Sequence, residues 1–158
     1  MTKYCETPKK QNNGQTREAC NALAEKYRSD INQTLNIHNC YRALENVKPM
    51  VWNEIMASDA YKSPKFPKDA NLVFDYTSLR HDYDSPYAET VGWNQNGSIR
   101  QFYDEIICKE KPSPNCEMGH YTIMMTSSFL GCAIAPSYFK RRELRCNYAD
   151  NAPRKPFY

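Results

Sequence analysis

The sequence has no apolar run near the length of about 18 residues that a membrane-spanning helix needs, so no span is expected. None of its seven cysteines forms a Cys-x-x-Cys pair, which removes the main signature of zinc ribbons and thioredoxin-like redox sites. No Gly-x-Ser-x-Gly turn is present to expose a serine nucleophile. Low-complexity stretches and internal repeats are missing as well. The net charge is only +3, with basic and acidic residues interspersed, too little to point to nucleic acid. Histidine occurs three times, at 38, 81 and 120, so any imidazole chemistry is confined to these positions.

What is present fits a folded secreted domain. Apolar residues make up 41% and charged residues 25% of 158 residues, a length at which a single domain buries roughly 70% of its unfolded surface. Seven scattered cysteines favour disulfides and an oxidising compartment over a cytosol rich in free thiols. Two sequons agree with secretion, Asn32-Gln33-Thr34 and Asn96-Gly97-Ser98, and glycans are expected on Asn32 and Asn96. Met1 to Cys5 leads straight into polar sequence without a leader-like apolar stretch, so a mature secreted chain with an added initiator Met, or a trimmed chain, is expected.

Along the chain, residues 1–28 read as an N-terminal extension that is partly helical, followed by a single domain over 29–158. Ala19, Leu23 and Tyr27, four residues apart, predict a helix over 16–27. Ser29 or Asp30 can cap the next helix, which runs to about Glu45 with an apolar stripe through Ile31, Leu35, Ile37, Tyr41 and Leu44. Trp52-Asn53 opens a shorter helix that stops before Pro64. Residues 63–97 read as a long loop rich in proline, aspartate and aromatic rings, packed over the core and lining a cleft. Ser98, with Gln101 in capping-box position, opens a helix that ends at Cys108 and buries Ile99, Phe102, Tyr103, Ile106 and Ile107. Alternation from His120 to Thr126 predicts a strand, followed by strands over 130–135 and 144–148 in an antiparallel meander. Lys140-Arg141-Arg142 with Arg145 reads as a solvated basic turn, with a secondary role at anionic headgroups or glycosaminoglycans. His38 reads as a histidine that packs or caps a helix, and Met124 and Met125 as core.

Several segments carry a resemblance. His38-Asn39-Cys40-Tyr41-Arg42, followed by Pro49-Met50-Val51-Trp52-Asn53, resembles the first-helix signature of CAP domains, the cysteine-rich secretory, antigen 5 and pathogenesis-related 1 proteins. Gly119-His120-Tyr121-Thr122 resembles the family's GHYTQ segment, Gly131-Cys132-Ala133-Ile134-Ala135 its GCAxA strand, and Cys146-Asn147-Tyr148 its CNY ending. The four stand in the family's order between about Ile31 and Tyr148. Departures are Ile123 in place of glutamine, Thr126 in place of tryptophan, Thr90 in place of asparagine, and Phe102 near the usual helix tryptophan.

The resemblance implies an α+β fold, an α-β-α sandwich with a central antiparallel sheet, of the single-domain venom-allergen-like kind. It also implies a cavity holding His81, Glu89, Glu105 and His120. Their spacings of 8, 16 and 15 residues mean that nothing local pre-forms the site. Two imidazoles and two carboxylates suit a labile site for Zn2+ or another divalent cation, weakly bound. The competing reading is a hydrogen-bonded network that fixes loop against sheet. Catalysis is disfavoured, since a histidine base without an identified nucleophile is half a mechanism. Ser78, Ser85 and Thr122 are the hydroxyls available to a protease reading.

Relatives bind sterols and fatty acids, so an apolar ligand is the leading expectation. Phe74, Tyr76, Tyr83 and Tyr87 of the aromatic loop are the candidate sterol contacts, and fatty acids are expected between helices. The alternative is a secreted effector or allergen-like protein that modulates host immunity through host protein partners, with the four residues only structural. The family's pairing implies Cys108–Cys116 and Cys132–Cys146. Among the remaining three, Cys5–Cys20 is favoured, leaving Cys40 free or intermolecular.

Overall fold

Cys132 and Cys146 stand directly opposite each other on neighbouring antiparallel strands, and the sheet is built outward from that pair. The computed structural model describes residues 15–67, 79–93, 98–135 and 142–158. In chain order the elements are α1 (Arg17–Lys26), a 3-10 turn (Ile31–Gln33), α2 (Thr34–Leu44), β1 (Val51–Trp52), α3 (Glu54–Lys62) and β2 (Ala88–Trp93). Then follow α4 (Ser98–Asp104), α5 (Ile107–Glu110), α6 (Gly119–Thr126), β3 (Phe129–Ile134) and β4 (Glu143–Ala149). The sheet order is β1-β3-β4-β2. β3, β4 and β2 pair antiparallel, and the two-residue β1 adds to β3 in parallel.

Alternation along the strands sorts the residues into two faces. Leu130 and Cys132 from β3 and Leu144, Cys146 and Tyr148 from β4 enter the main core with Ile37, Tyr41, Phe102, Tyr103 and Met124 from the helices. The other face is covered by α3. At Gly131 the approach is so close that a Cβ would lie 2.3 Å from the Ala57 amide nitrogen, so only glycine fits there. Asn53 caps α3 by accepting the Met56 N–H at 2.9 Å, and the Asn147 amide donates to the Met56 carbonyl at 3.2 Å. Helices, sheet and α3 therefore form three layers, as an α-β-α sandwich requires.

Several expectations are corrected. Residues 119–126 form a helix, not a strand. Their composition is apolar on most sides, and a run this short does not separate the two periods. What decides it is a cap from elsewhere: the Glu105 carboxylate accepts the N–H of His120 at 3.0 Å and of Tyr121 at 3.4 Å, satisfying orphan donors of the first turn. The span read as one long loop contains β2, whose six residues pair with β4 from Ala88↔Tyr148 to Trp93↔Glu143. The helix expected over 98–108 breaks at 105–106 into α4 and α5, and the turn carries Ile107 out to 45% exposure.

Cys20 pairs with Cys40, with Cα atoms 5.6 Å apart, because α1 packs along α2. The expected Cys5–Cys20 bridge is therefore replaced, and Cys5 lies outside the described residues. Cys108–Cys116 and Cys132–Cys146 form as the resemblance implied. Helix α1 shares the main core through Cys20 and Ala24, both essentially unexposed.

Candidate functional site

His120 opens α6, and its imidazole is held from two sides. Its Nδ1–H donates to Glu105 Oε2 at 2.6 Å, and its ring stacks on Phe102 at 4.6 Å between centroids and 13° between planes. Glu105 comes from the turn between α4 and α5, so one carboxylate caps the helix and orients the ring. This pair borders a cavity of about 370 Å3 lined by Leu79, Val91, Trp93 and Phe102, with Gln101 at its polar side.

His81 makes the second pair, on residues that precede and form β2. Its Nδ1–H donates to Glu89 Oε1 at 2.8 Å, and the same oxygen accepts the Asp82 N–H at 3.1 Å. The other oxygen, Oε2, lies 2.8 Å from Arg145 Nη1. Arg145 is fully buried, which corrects its expected place in a solvated turn. Leu144 and Cys146 face the core, so the strand period turns Arg145 to the opposite face, together with Glu143 and Asn147. There Arg145 also donates to the Arg80 carbonyl at 2.6 Å and approaches Glu143 at 3.4 Å. Burial pushes the Glu143 carboxyl up to about 7, against the lowering effect of Arg145. Alternation against Leu144 and Cys146 is the signal that could have found Arg145; its basic neighbours masked it.

The four expected residues are thus two His–Glu pairs. In each, the imidazole's hydrogen bond goes to a glutamate, and both side chains remain open to water, at 44% and 37% exposure. A carboxylate on Nδ1 is the arrangement that presents Nε2 to a metal. Against this, no group of three or more His, Cys, Asp or Glu among the described residues is arranged to hold an ion. One imidazole nitrogen per pair falls short of a closed ligand set. For nucleophilic catalysis the partners are equally thin. The Thr122 hydroxyl donates to the Met118 carbonyl at 2.8 Å, the Ser85 hydroxyl accepts the Tyr87 N–H at 3.3 Å, and Ser78 lies outside the described residues.

His38 is part of the core. Its Nδ1–H donates to the Thr34 carbonyl at 2.9 Å, so Nε2 accepts the Tyr148 hydroxyl at 2.7 Å. Burial, aided by the Arg42 charge, lowers its pKa to about 4.

Of the aromatic candidates, Phe74 and Tyr76 lie outside the described residues. Tyr83 is 90% exposed beside His81, at 6.0 Å between ring centroids. Tyr87 donates its hydroxyl to Asp59 at 2.7 Å and lines a separate groove of about 580 Å3. A further slot of about 340 Å3, not read from the sequence, opens between α2 and α3 at the β1 edge. Ile31, Leu35, Trp52 and Ala57 supply its apolar walls, and Asn32 and Glu54 its polar side. Asn32 itself is exposed, while Asn96 lies outside the described residues.

A family model described as cysteine-rich secretory protein family, CAP, matches residues 35–148. Among curated protein sequences nothing matches. Among solved structures, the chain is similar to Schistosoma mansoni venom allergen-like protein 4, with 19% identity and a TM-score of 0.46. That match covers 89% of this chain and 92% of the other. It is also similar to a hookworm platelet inhibitor, with 17% identity, a TM-score of 0.45, and coverage of 89% and 71%.

Proposed function

The chain belongs to the CAP family of cysteine-rich secretory proteins, and from that premise we propose that it is a secreted protein that binds an apolar ligand of the fatty-acid or sterol type. The observation that carries this reading is the slot between α2 and α3. At about 340 Å3 it falls at the small end of ligand pockets, and its walls are the apolar side chains Ile31, Leu35, Trp52 and Ala57. Asn32 and Glu54 are the polar groups that would set the ligand's direction. Glu54 is already engaged by the Trp52 indole N–H at 3.1 Å, which leaves a carboxylate at the slot. A fatty acid would therefore enter chain first and leave its own carboxylate in water, where repulsion is screened. Three disulfides support the secreted setting.

The test is titration of the protein with labelled fatty acid and labelled cholesterol. Saturable binding is expected for at least one of them. It should be lost in Leu35→Trp, which fills the slot, and kept in His120→Ala, which lies in a different cavity. Binding lost only in His120→Ala would move the ligand to the cavity beside Phe102. Absence of saturable binding by both ligands would end the proposal.

A further inference from the structure

The segment after β4 returns along the molecule and is gripped by two aspartates. Asp59 of α3 is buried at 1% exposure, and its carboxylate accepts the Phe157 N–H at 3.1 Å to both oxygens and the Tyr158 N–H at 3.1 Å. The Tyr87 hydroxyl completes its set at 2.7 Å. Two successive backbone donors on one carboxylate form a peptide-binding contact, made without reading a side chain. The second aspartate reads one. Asp82, 5% exposed, accepts the Tyr158 hydroxyl and the Ser63 hydroxyl on Oδ2, the latter at 2.8 Å.

Asp82 is also where the 79–87 loop is organised. Its Oδ1 accepts the Asp84 N–H at 3.1 Å, its carbonyl accepts the Ser85 N–H at 3.2 Å, and its own N–H donates to Glu89 Oε1. That glutamate oxygen is the one that holds His81. A continuous path of hydrogen bonds therefore runs from Tyr158 through Asp82 and Glu89 to His81. Burial raises the Asp82 carboxyl, but the Tyr158, Ser63 and Asp84 donors and the Arg145 charge more than offset this and leave it lowered. Tyr158 is pushed up to about 12 by burial and by Asp82, the matching sign for a phenol that keeps its proton to donate it.

We propose that Asp59 and Asp82 together form a peptide-gripping site, filled by the chain's own Phe157 and Tyr158, which clasps the 79–87 loop and so holds the His81–Glu89 pair in place. The occupant the site fits is a peptide segment with two consecutive free N–H groups and a phenol on the second residue. A proline at the first of these positions, or a ring without a hydroxyl at the second, removes one contact each. The inference is independent of lipid binding at the α2–α3 slot.

The experiment is hydrogen exchange on the full chain in two variants, Tyr158→Phe and Phe157→Pro. The first removes only the hydroxyl, and the second removes one N–H and the ring that packs edge-on against Tyr158, at a residue that is 47% exposed and outside the core. Exchange at the Asp82 and Asp84 amides is expected to speed up about tenfold in each, while β3 and β4 amides keep their rates. The His81 ring resonances should shift with them. Unchanged exchange at Asp82 and Asp84 in both variants would overturn the proposal. So would a rise that is equal throughout the sheet, since that would mean general loss of stability rather than release of a clasp.

Discussion

His38 and Glu143 are buried groups whose charged forms the fold disfavours, and they pull the stability of the protein in opposite directions with pH. His38 takes up a proton below about 6.5 when unfolded but only below about 4 when folded. Between those values the unfolded chain holds more protons, so its contribution to stability grows with pH, by about 3 kcal/mol across the window. Glu143, raised to about 7, does the reverse: the folded state holds the extra proton, and stability is lost as pH rises from the ordinary carboxylate range to 7. The two should largely cancel in the native sequence. In Glu143→Gln the His38 contribution stands alone, and urea unfolding at several pH values is expected to show stability rising by about 3 kcal/mol between pH 4 and 6.5. A flat profile in that variant would mean that His38 is not buried in its neutral form. At this scale the sequence was half informative. His38 was legible as a packing histidine from its place on a helix. Arg145 was not, because its burial depends on which sheet face a neighbouring leucine and cysteine have already taken.

Among the elements, α6 is the one whose identity depends most on a residue outside it. Helix α3 announces itself by its cap Asn53, which bonds locally to Met56, and α2 by the period of its apolar stripe behind a 3-10 turn that Asp30 caps at Asn32. Helix α6 has no side-chain cap of its own at Met118, and its cap arrives from Glu105, fourteen residues before the helix starts. No local pattern could reveal that. Glu105→Ala is expected to cost about 1–2 kcal/mol, the size of a lost N-cap, and to leave His120 held only by its stack on Phe102. Thermal unfolding measures the first effect, and the width of the His120 ring signals the second. No loss of stability would show that α6 does not need this carboxylate. Strand β2 was hidden for a related reason. It is an edge strand whose partners in β4 lie 50 to 60 residues later, and the prolines and aspartates before it read as loop.

At the scale of the whole molecule, three disulfides among the described residues and a main core drawn from helices and strands tie the layers together. The Cys20–Cys40 bridge closes about twenty residues and contributes about 3 kcal/mol by restricting the unfolded chain. Peptide mapping without reduction should recover Cys20 linked to Cys40, and a Cys5–Cys20 fragment would contradict the packing of α1 on α2. Spacing could not choose between those pairings, since it is the lateral contact of two helices that brings Cys20 and Cys40 together. The sandwich itself was legible from four ordered signatures. The slot that carries the functional reading was not, because it is made by side chains from the 3-10 turn, α2, β1 and α3 that meet only in the folded chain. The direct test of that reading is equilibrium titration of labelled fatty acid and cholesterol into the native protein and into Leu35→Trp. Saturable binding of one ligand that disappears in the variant is the predicted result, and binding that is absent from both proteins, or unchanged in the variant, would contradict it.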